Sequence, residues 1–126
     1  MDINQINQIK NEHNGNFPVL VKNYIEYGIV KFQTCASTAK TMYFDKDENS
    51  VYDEQEFFNF KIGELNVDKF KADLVDHQQG KTDFPTWLEL TAGSGIAYWI
   101  VDLNEKTCIY YDLNNNPIHT EMIPGL

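Results

Sequence analysis

The chain has 126 residues, 42% of them hydrophobic, and carries a formal net charge of -9 at pH 7. That length can bury the core of one domain without disulfide or metal staples, and that charge opposes direct contact with nucleic-acid phosphates or an anionic membrane surface. The ten basic residues are all lysines dispersed along the chain, so the bidentate guanidinium grip on phosphate or guanine is missing and direct nucleic-acid binding is not expected.

Residues Asp2 to His13 place Ile3, Ile6 and Ile9 on one face of a short amphipathic helix, with Asp2 or Asn4 able to cap it. The same stretch has no basic segment followed by an apolar run, so no secretory signal is expected. The longest strongly apolar run, Ile96 to Val101, is far too short to span a bilayer, and no membrane role is expected. Asn14-Gly15-Asn16 ends the first helix. A second runs from Phe17 to Tyr27, with Pro18 in its first turn, Val21, Tyr24 and Ile25 as its inward stripe and Gly28 as a left-handed stop. Ile29 to Thr34 and Thr41 to Phe44 then read as a strand pair, and Glu56 to Ile62 as a third strand. Asn66 starts a helix whose apolar positions Val67, Phe70, Leu74 and Val75 continue to His77, and a loop from Gln78 to Asp83 leads into a fourth helix, Phe84 to Ala92.

From Gly95 to Pro124, three runs rich in β-branched and aromatic residues are separated by Asn104-Glu105-Lys106 and by Asn114-Asn115-Asn116-Pro117, the pattern of an antiparallel meander. Pairing Leu103 with Thr107 sets Trp99 opposite Tyr111, Val101 opposite Ile109 and Ala97 opposite Leu113 on the core face. The other face then carries Tyr98, Ile100, Asp102, Cys108, Tyr110 and Asp112. A register one residue later would oppose Trp99 to Asp112 and bury a carboxylate without a partner. The expected fold class is α+β: a mostly antiparallel sheet with four helices on one face, in a single domain over 1–126.

Shifting the chain by 67 residues aligns Phe17-Pro18 with Phe84-Pro85, Gly28-Ile29 with Gly95-Ile96, Phe32 with Trp99 and Tyr43-Phe44-Asp45 with Tyr110-Tyr111-Asp112. A fixed offset of this kind predicts an internal duplication, with pseudo-repeats 1–63 and 64–126 related by a pseudo-twofold axis and equivalent hairpins side by side in one sheet. Lys31, Gln33, Thr41 and Tyr43 would then extend the face of Tyr98, Ile100 and Tyr110.

Three groups of residues have chemistry to weigh. Asp45, Asp47, Asn49, Asp53 and Glu56 fall at positions 1, 3, 5, 9 and 12 of a calcium loop. Ser50 stands where such a loop needs glycine, Tyr52 where it needs an aliphatic residue, and a strand precedes it, so Asp45-x-Asp-x-Asn, like Asp112-x-Asn-x-Asn, reads as hairpin turn chemistry and no metal is expected. His77, Thr82 and Asp83 share an inter-helix loop, where they could form half of an acid-base site or simply cap the two helix ends. His13 and His119 read as helix-end and edge residues. Tyr98, Ile100 and Tyr110, on the face away from the helices, could meet a protein partner or a second copy of the chain. Cys35 and Cys108, in a chain without an export signal, are expected as reduced cytoplasmic thiols packed as small hydrophobes. The chain has no Gly-rich phosphate loop, Gly-x-Ser-x-Gly elbow, Cys-x-x-Cys or His-Glu-x-x-His motif, and no cofactor is expected.

His77-Gln78-Gln79-Gly80-Lys81-Thr82-Asp83-Phe84, Trp99-Ile100-Val101-Asp102 after Gly95-Ile96, Tyr110-Tyr111-Asp112 after Thr107-Cys108, and Ile123-Pro124 occur in that order. Together they resemble the signature of a small bacterial and prophage-borne family of unknown function, often labelled "phage envelope protein", most specifically over Val67 to Pro124. The resemblance implies a compact cytoplasmic α+β domain with no established activity, cofactor or catalytic residue. The reading that results is a non-enzymatic accessory or protein-interaction domain, with a homodimer or protein partner on the Tyr98, Ile100 and Tyr110 face. Its alternatives are a small-molecule binding protein or enzyme using the His77 to Asp83 loop, and an acidic regulator that imitates nucleic acid.

Overall fold

The computed structural model describes residues 1–13, 15–53 and 58–123. Two helices, α1 (Ile3–Glu12) and α2 (Phe17–Tyr27), precede three strands, β1 (Ile29–Cys35), β2 (Thr41–Asp45) and β3 (Ser50–Tyr52). The same order then recurs as α3 (Val67–Gln78), α4 (Phe84–Gly93), β4 (Ile96–Asp102), β5 (Thr107–Asp112) and β6 (Pro117–Met122). Each helix starts where a short polar side chain satisfies a free N–H of the first turn. Asp2, Asn16, Asn66 and Asp83 accept from the backbone N–H groups of Asn4, Val19, Lys69 and Thr86. Among the described residues no helix is long and apolar enough to cross a membrane.

The strands form one antiparallel sheet in the order β3-β2-β1-β4-β5-β6. One face bears Phe32, Tyr43, Trp99, Val101, Cys108 and Tyr110, which join Ile6, Val21, Tyr24, Phe70, Leu74, Trp87 and Leu88 of the helices in a single buried cluster. The expected α+β class and the one-sided placement of the helices are what the structure has.

Three expectations are corrected. The third strand of the first half is β3, directly after the Asp45 turn; Phe58 to Ile62 forms neither helix nor strand, and Glu56 and Phe57 lie outside the described residues. A tight hairpin closes a shorter loop than a return from residue 56. Second, β4 and β5 pair Asp102 with Thr107, Val101 with Cys108, Ile100 with Ile109 and Trp99 with Tyr110, around a turn of four residues rather than three. Cys108 and Tyr110 therefore point at the helices, Ile109 and Tyr111 away from them, and Tyr43 and Thr41 likewise belong to the buried face. Leu103, in the turn, is 4% exposed; the extra turn residue lets it close the end of the core. Asp112 is buried, and its carboxylate accepts from Asn114 N, Asn116 N and Asn116 Nδ2, so burial leaves no lone pair stranded. Third, Ile25 and Val75, placed inward by helical spacing, are 46% and 50% exposed.

Positions 67 apart share more than element type. The bulge between Ile29 and Lys31 in the β1–β2 pair matches the one between Ile96 and Tyr98 in the β4–β5 pair. Positive φ occurs at Gly28 and Gly95, at Ala39 and Lys106, and at Glu48 and Asn115. The Asp45 turn repeats the Asp112 turn bond for bond, with Asp45 accepting from Asp47 N, Asn49 N and Asn49 Nδ2. Gln33 pairs with Ile100, its own counterpart, so exchanging the halves leaves the β1–β4 register unchanged.

These two turns set an acid limit on stability. At Asp45 desolvation is the largest single influence and raises the carboxyl, but the Asn49 amide and the Asn49 and Asp47 N–H groups together outweigh it. At Asp112 the Asn116 N–H leads, followed by the Asn116 amide and the Asn114 N–H, against a smaller desolvation penalty. Both carboxyls are thereby held below the ordinary 3.8. A group whose folded pKa is depressed stabilises fully above its unfolded pKa and loses that contribution as pH falls through the folded value. The urea midpoint should thus hold down to about pH 4 and drop below it. An Asp45→Asn, Asp112→Asn double variant should start lower at pH 7 and show a shallower acid limb; an unchanged limb would remove these turns as its source.

Candidate functional site

The His77 to Asp83 loop comes together as a joint between helices. Beyond the end of α3, Gly80 turns the chain with φ +77°, and Lys81 reaches back to Asp76 at 3.5 Å. His77 Nδ1 lies 3.0 Å from Thr82 Oγ1 and 3.1 Å from Thr82 O, and the imidazole stacks on Trp87 with ring centres 4.7 Å apart. Asp83 accepts from Thr86 N at 2.8 Å. Its carboxyl is held low first by the Thr86 hydroxyl, then by the Thr86 N–H, with a smaller contribution from His77. His77 is thus turned onto Trp87 and Asp83 onto the first turn of α4. Two grooves of the molecule open elsewhere, one along Glu64 to Asp68 and one beside Ile25 and Gly28.

Tyr110, expected on the outer face, sits in an aromatic cluster with Phe70, Trp87, Trp99 and His119. Its hydroxyl donates to Glu121 Oε1 at 3.0 Å, while Gln78 Nε2 donates to Glu121 Oε2 at 2.9 Å, tying α3 to β6. Burial pushes the neighbouring Cys108 thiol up to about 12, which keeps it protonated and poorly nucleophilic.

The outer face holds Tyr98 and Ile100 as expected, and the corrected register adds residues that the sequence reading left out. Cross-strand neighbours share a face, so Tyr98, Ile100 and Asp102 of β4 continue into Tyr111, Ile109 and Thr107 of β5. On the other side they continue into Cys35, Gln33 and Lys31 of β1, then Met42 and Phe44 of β2. The rings of Tyr98 and Tyr111 stack with centres 4.9 Å apart, and the Tyr98 hydroxyl donates to Asn115 Oδ1 at 2.8 Å. Lys31 Nζ stands 4.8 Å from the centre of the Phe44 ring. Within a chain of net charge -9, the strand positions of this face carry one lysine and one aspartate, Lys31 and Asp102, directly paired across β1 and β4. The alternation Tyr-x-Ile-x-Asp in β4 already signalled such a surface. Ile109 and Tyr111 were missed only through the one-residue register.

The family model described as "Protein of unknown function (DUF1398)" matches residues 4–122, which takes in the ten helices and strands of the described residues, α1 from its second residue. The chain belongs to this family. A search of curated proteins gives no match. Among the described residues of the DUF1398 chain, no three His, Cys, Asp or Glu side chains converge as a metal-binding group. The Asp45 carboxylate is occupied by N–H donors of its own turn, and Glu56, the last position of the calcium pattern, lies outside the described residues.

Proposed function

We propose that this DUF1398 chain is a non-enzymatic, cytoplasmic protein-interaction domain of bacterial or prophage origin that self-associates through the outer face of its sheet. The carrying observation is the one-sided sheet. All four helices lie against one face, while Met42, Phe44, Tyr98, Ile100, Ile109 and Tyr111 form a contiguous, nearly uncharged patch on the other. A contiguous apolar patch of this kind marks interaction surfaces more often than bare solvent contact. A second copy is favoured as partner because the adjacent Lys31 and Asp102 make the patch locally neutral, whereas other contacts between copies would oppose acidic surfaces. The unpaired thiols Cys35 and Cys108 support a reducing compartment. We also read the halves as duplicates of one α-α-β-β-β unit, on the strength of the matching bulges, turns and left-handed positions 67 residues apart.

Light scattering on size-exclusion fractions tests the interface. The wild type should elute as a dimer, and Ile100→Glu and Tyr111→Glu as folded monomers, judged by circular dichroism. A wild-type monomer at high concentration would sink the proposal, as would dimers that survive both substitutions.

A further inference from the structure

The two halves differ in what lies against the end of their second helix. Against the second half, the segment Phe58–Leu65, which forms neither helix nor strand, lies along the end of α4 and the start of β4. Phe60 N donates to Ser37 O at 2.9 Å and the Ser37 hydroxyl donates back to Phe60 O. Gly63 N donates to Ala92 O at 2.9 Å, and Asn66 N, one residue beyond the segment, to Ser94 O at 2.9 Å. The Leu65 backbone presses so closely on Gly95 that a side chain there would collide with it.

The equivalent positions 67 residues away are Ile25 for Ala92, Tyr27 for Ser94 and Gly28 for Gly95 in the first half, and Asn104 in the second half for Ser37 of the first. Among the described residues, these four line an open groove of about 550 Å³ together with Met1 and the Asp45 turn. A Cβ built on Gly28 would meet no atom within 4 Å. Ala92 is 0% exposed, but Ile25 is 46% exposed, although it continues the stripe of Val21 and Tyr24.

We infer that this groove is a docking site for an extended apolar peptide from a partner protein, seated as Phe58–Leu65 is seated on the other half. The occupant's chemistry follows from the built-in example. Its backbone would donate to the Ile25 and Tyr27 carbonyls, it would exchange hydrogen bonds with Asn104 where Ser37 bonds Phe60, and it would cover Ile25 with an apolar side chain. A small residue would stand where Gly63 approaches the end of α4, a position at which a Cβ would strike the Gly93 carbonyl. Main-chain hydrogen bonds give such a peptide its register and the apolar contact gives most of its affinity. This surface lies apart from the outer sheet face and does not depend on dimerisation there.

The probe is the blocked synthetic peptide of residues 58–65, Phe-Asn-Phe-Lys-Ile-Gly-Glu-Leu, titrated into the full-length isotope-labelled chain and followed by amide chemical shifts. Saturable shifts centred on Ile25, Gly28 and Asn104 are expected, with affinity lowered at least about tenfold in Ile25→Asp, a substitution at an exposed position. A scrambled peptide should give no such shifts. The inference is overturned if the peptide perturbs nothing, if it perturbs Ala92 and Gly95 by displacing the chain's own segment, or if it perturbs only the outer sheet face. It is also overturned if groove shifts grow with protein concentration alone and track dimer formation, since the occupant is then a second copy.

Discussion

Replacing Gly95 by alanine is expected to destabilise the protein by about 4 kcal/mol, against about 1.5 kcal/mol for Gly28→Ala. Gly28 caps α2, Gly95 follows Ser94, the C-cap of α4, and both hold left-handed backbone, with φ of +107° and +93°, so both substitutions carry the same conformational cost. They differ in what the new methyl meets. At Gly95 it runs into Leu65 Cα and N and the Glu64 carbonyl carbon, all main-chain atoms that cannot rotate aside, whereas at Gly28 it enters open space. Urea unfolding of the two variants checks this directly. Equal losses would mean that Phe58–Leu65 does not lie where the structure puts it, and would remove the template on which the peptide groove rests.

Tyr110→Glu should cost about 4 kcal/mol or more and leave little folded protein at pH 7, whereas Tyr111→Glu, one residue along, should stay within about 1 kcal/mol of wild type. Tyr110 is 4% exposed, enclosed by Phe70, Trp87 and Trp99, and its hydroxyl already serves Glu121. A glutamate there would bury an unpaired charge beside another carboxylate. Tyr111 lies on the outer face against Tyr98. Circular dichroism and urea midpoints of the two variants decide the register, and the opposite ranking would restore the three-residue turn that opposes Trp99 to Tyr111.

The contrast between these tyrosines separates what is local in the sequence from what is not. Helices were legible because their signals are local. Asn16 and Asp83 cap, Pro18 and Pro85 fit the first turn, Gly28 stops α2, and the observed boundaries fall within a residue or so of those expected. Strand pairing is not local. On β5 both alternating sets, Cys108 with Tyr110 and Ile109 with Tyr111, are apolar enough for the core, so the pattern cannot choose between them. The choice was made by Leu103 folding into the core from the turn and by the bulge near Ala97, which buries Ile96 and Ala97 in succession. Of the candidate site residues, Tyr98 and Ile100 lie on the outer face as read, His77, Thr82 and Asp83 meet in a helix joint, and Tyr110 is in the core. Ile25 was placed inward because helical spacing alone does not show how far along a stripe the rest of the chain reaches.

The seam between β1 and β4 bears on how the chain reaches this structure. Hairpin partners such as Thr34 and Thr41 are seven positions apart, whereas Lys31 and Asp102 are 71 apart. Closing the longer loop costs about 2 kcal/mol more in chain entropy, so the hairpins are expected to form before the central pairing. Until it occurs, each half presents an unpaired apolar edge, and the register that lets Gln33 meet Ile100 within one molecule fits the same edges of two molecules equally well. Overexpression or slow refolding would therefore favour exchanged pairs of half-chains, because the pairing that closes the sheet within one chain is equally open to the edge of a neighbour.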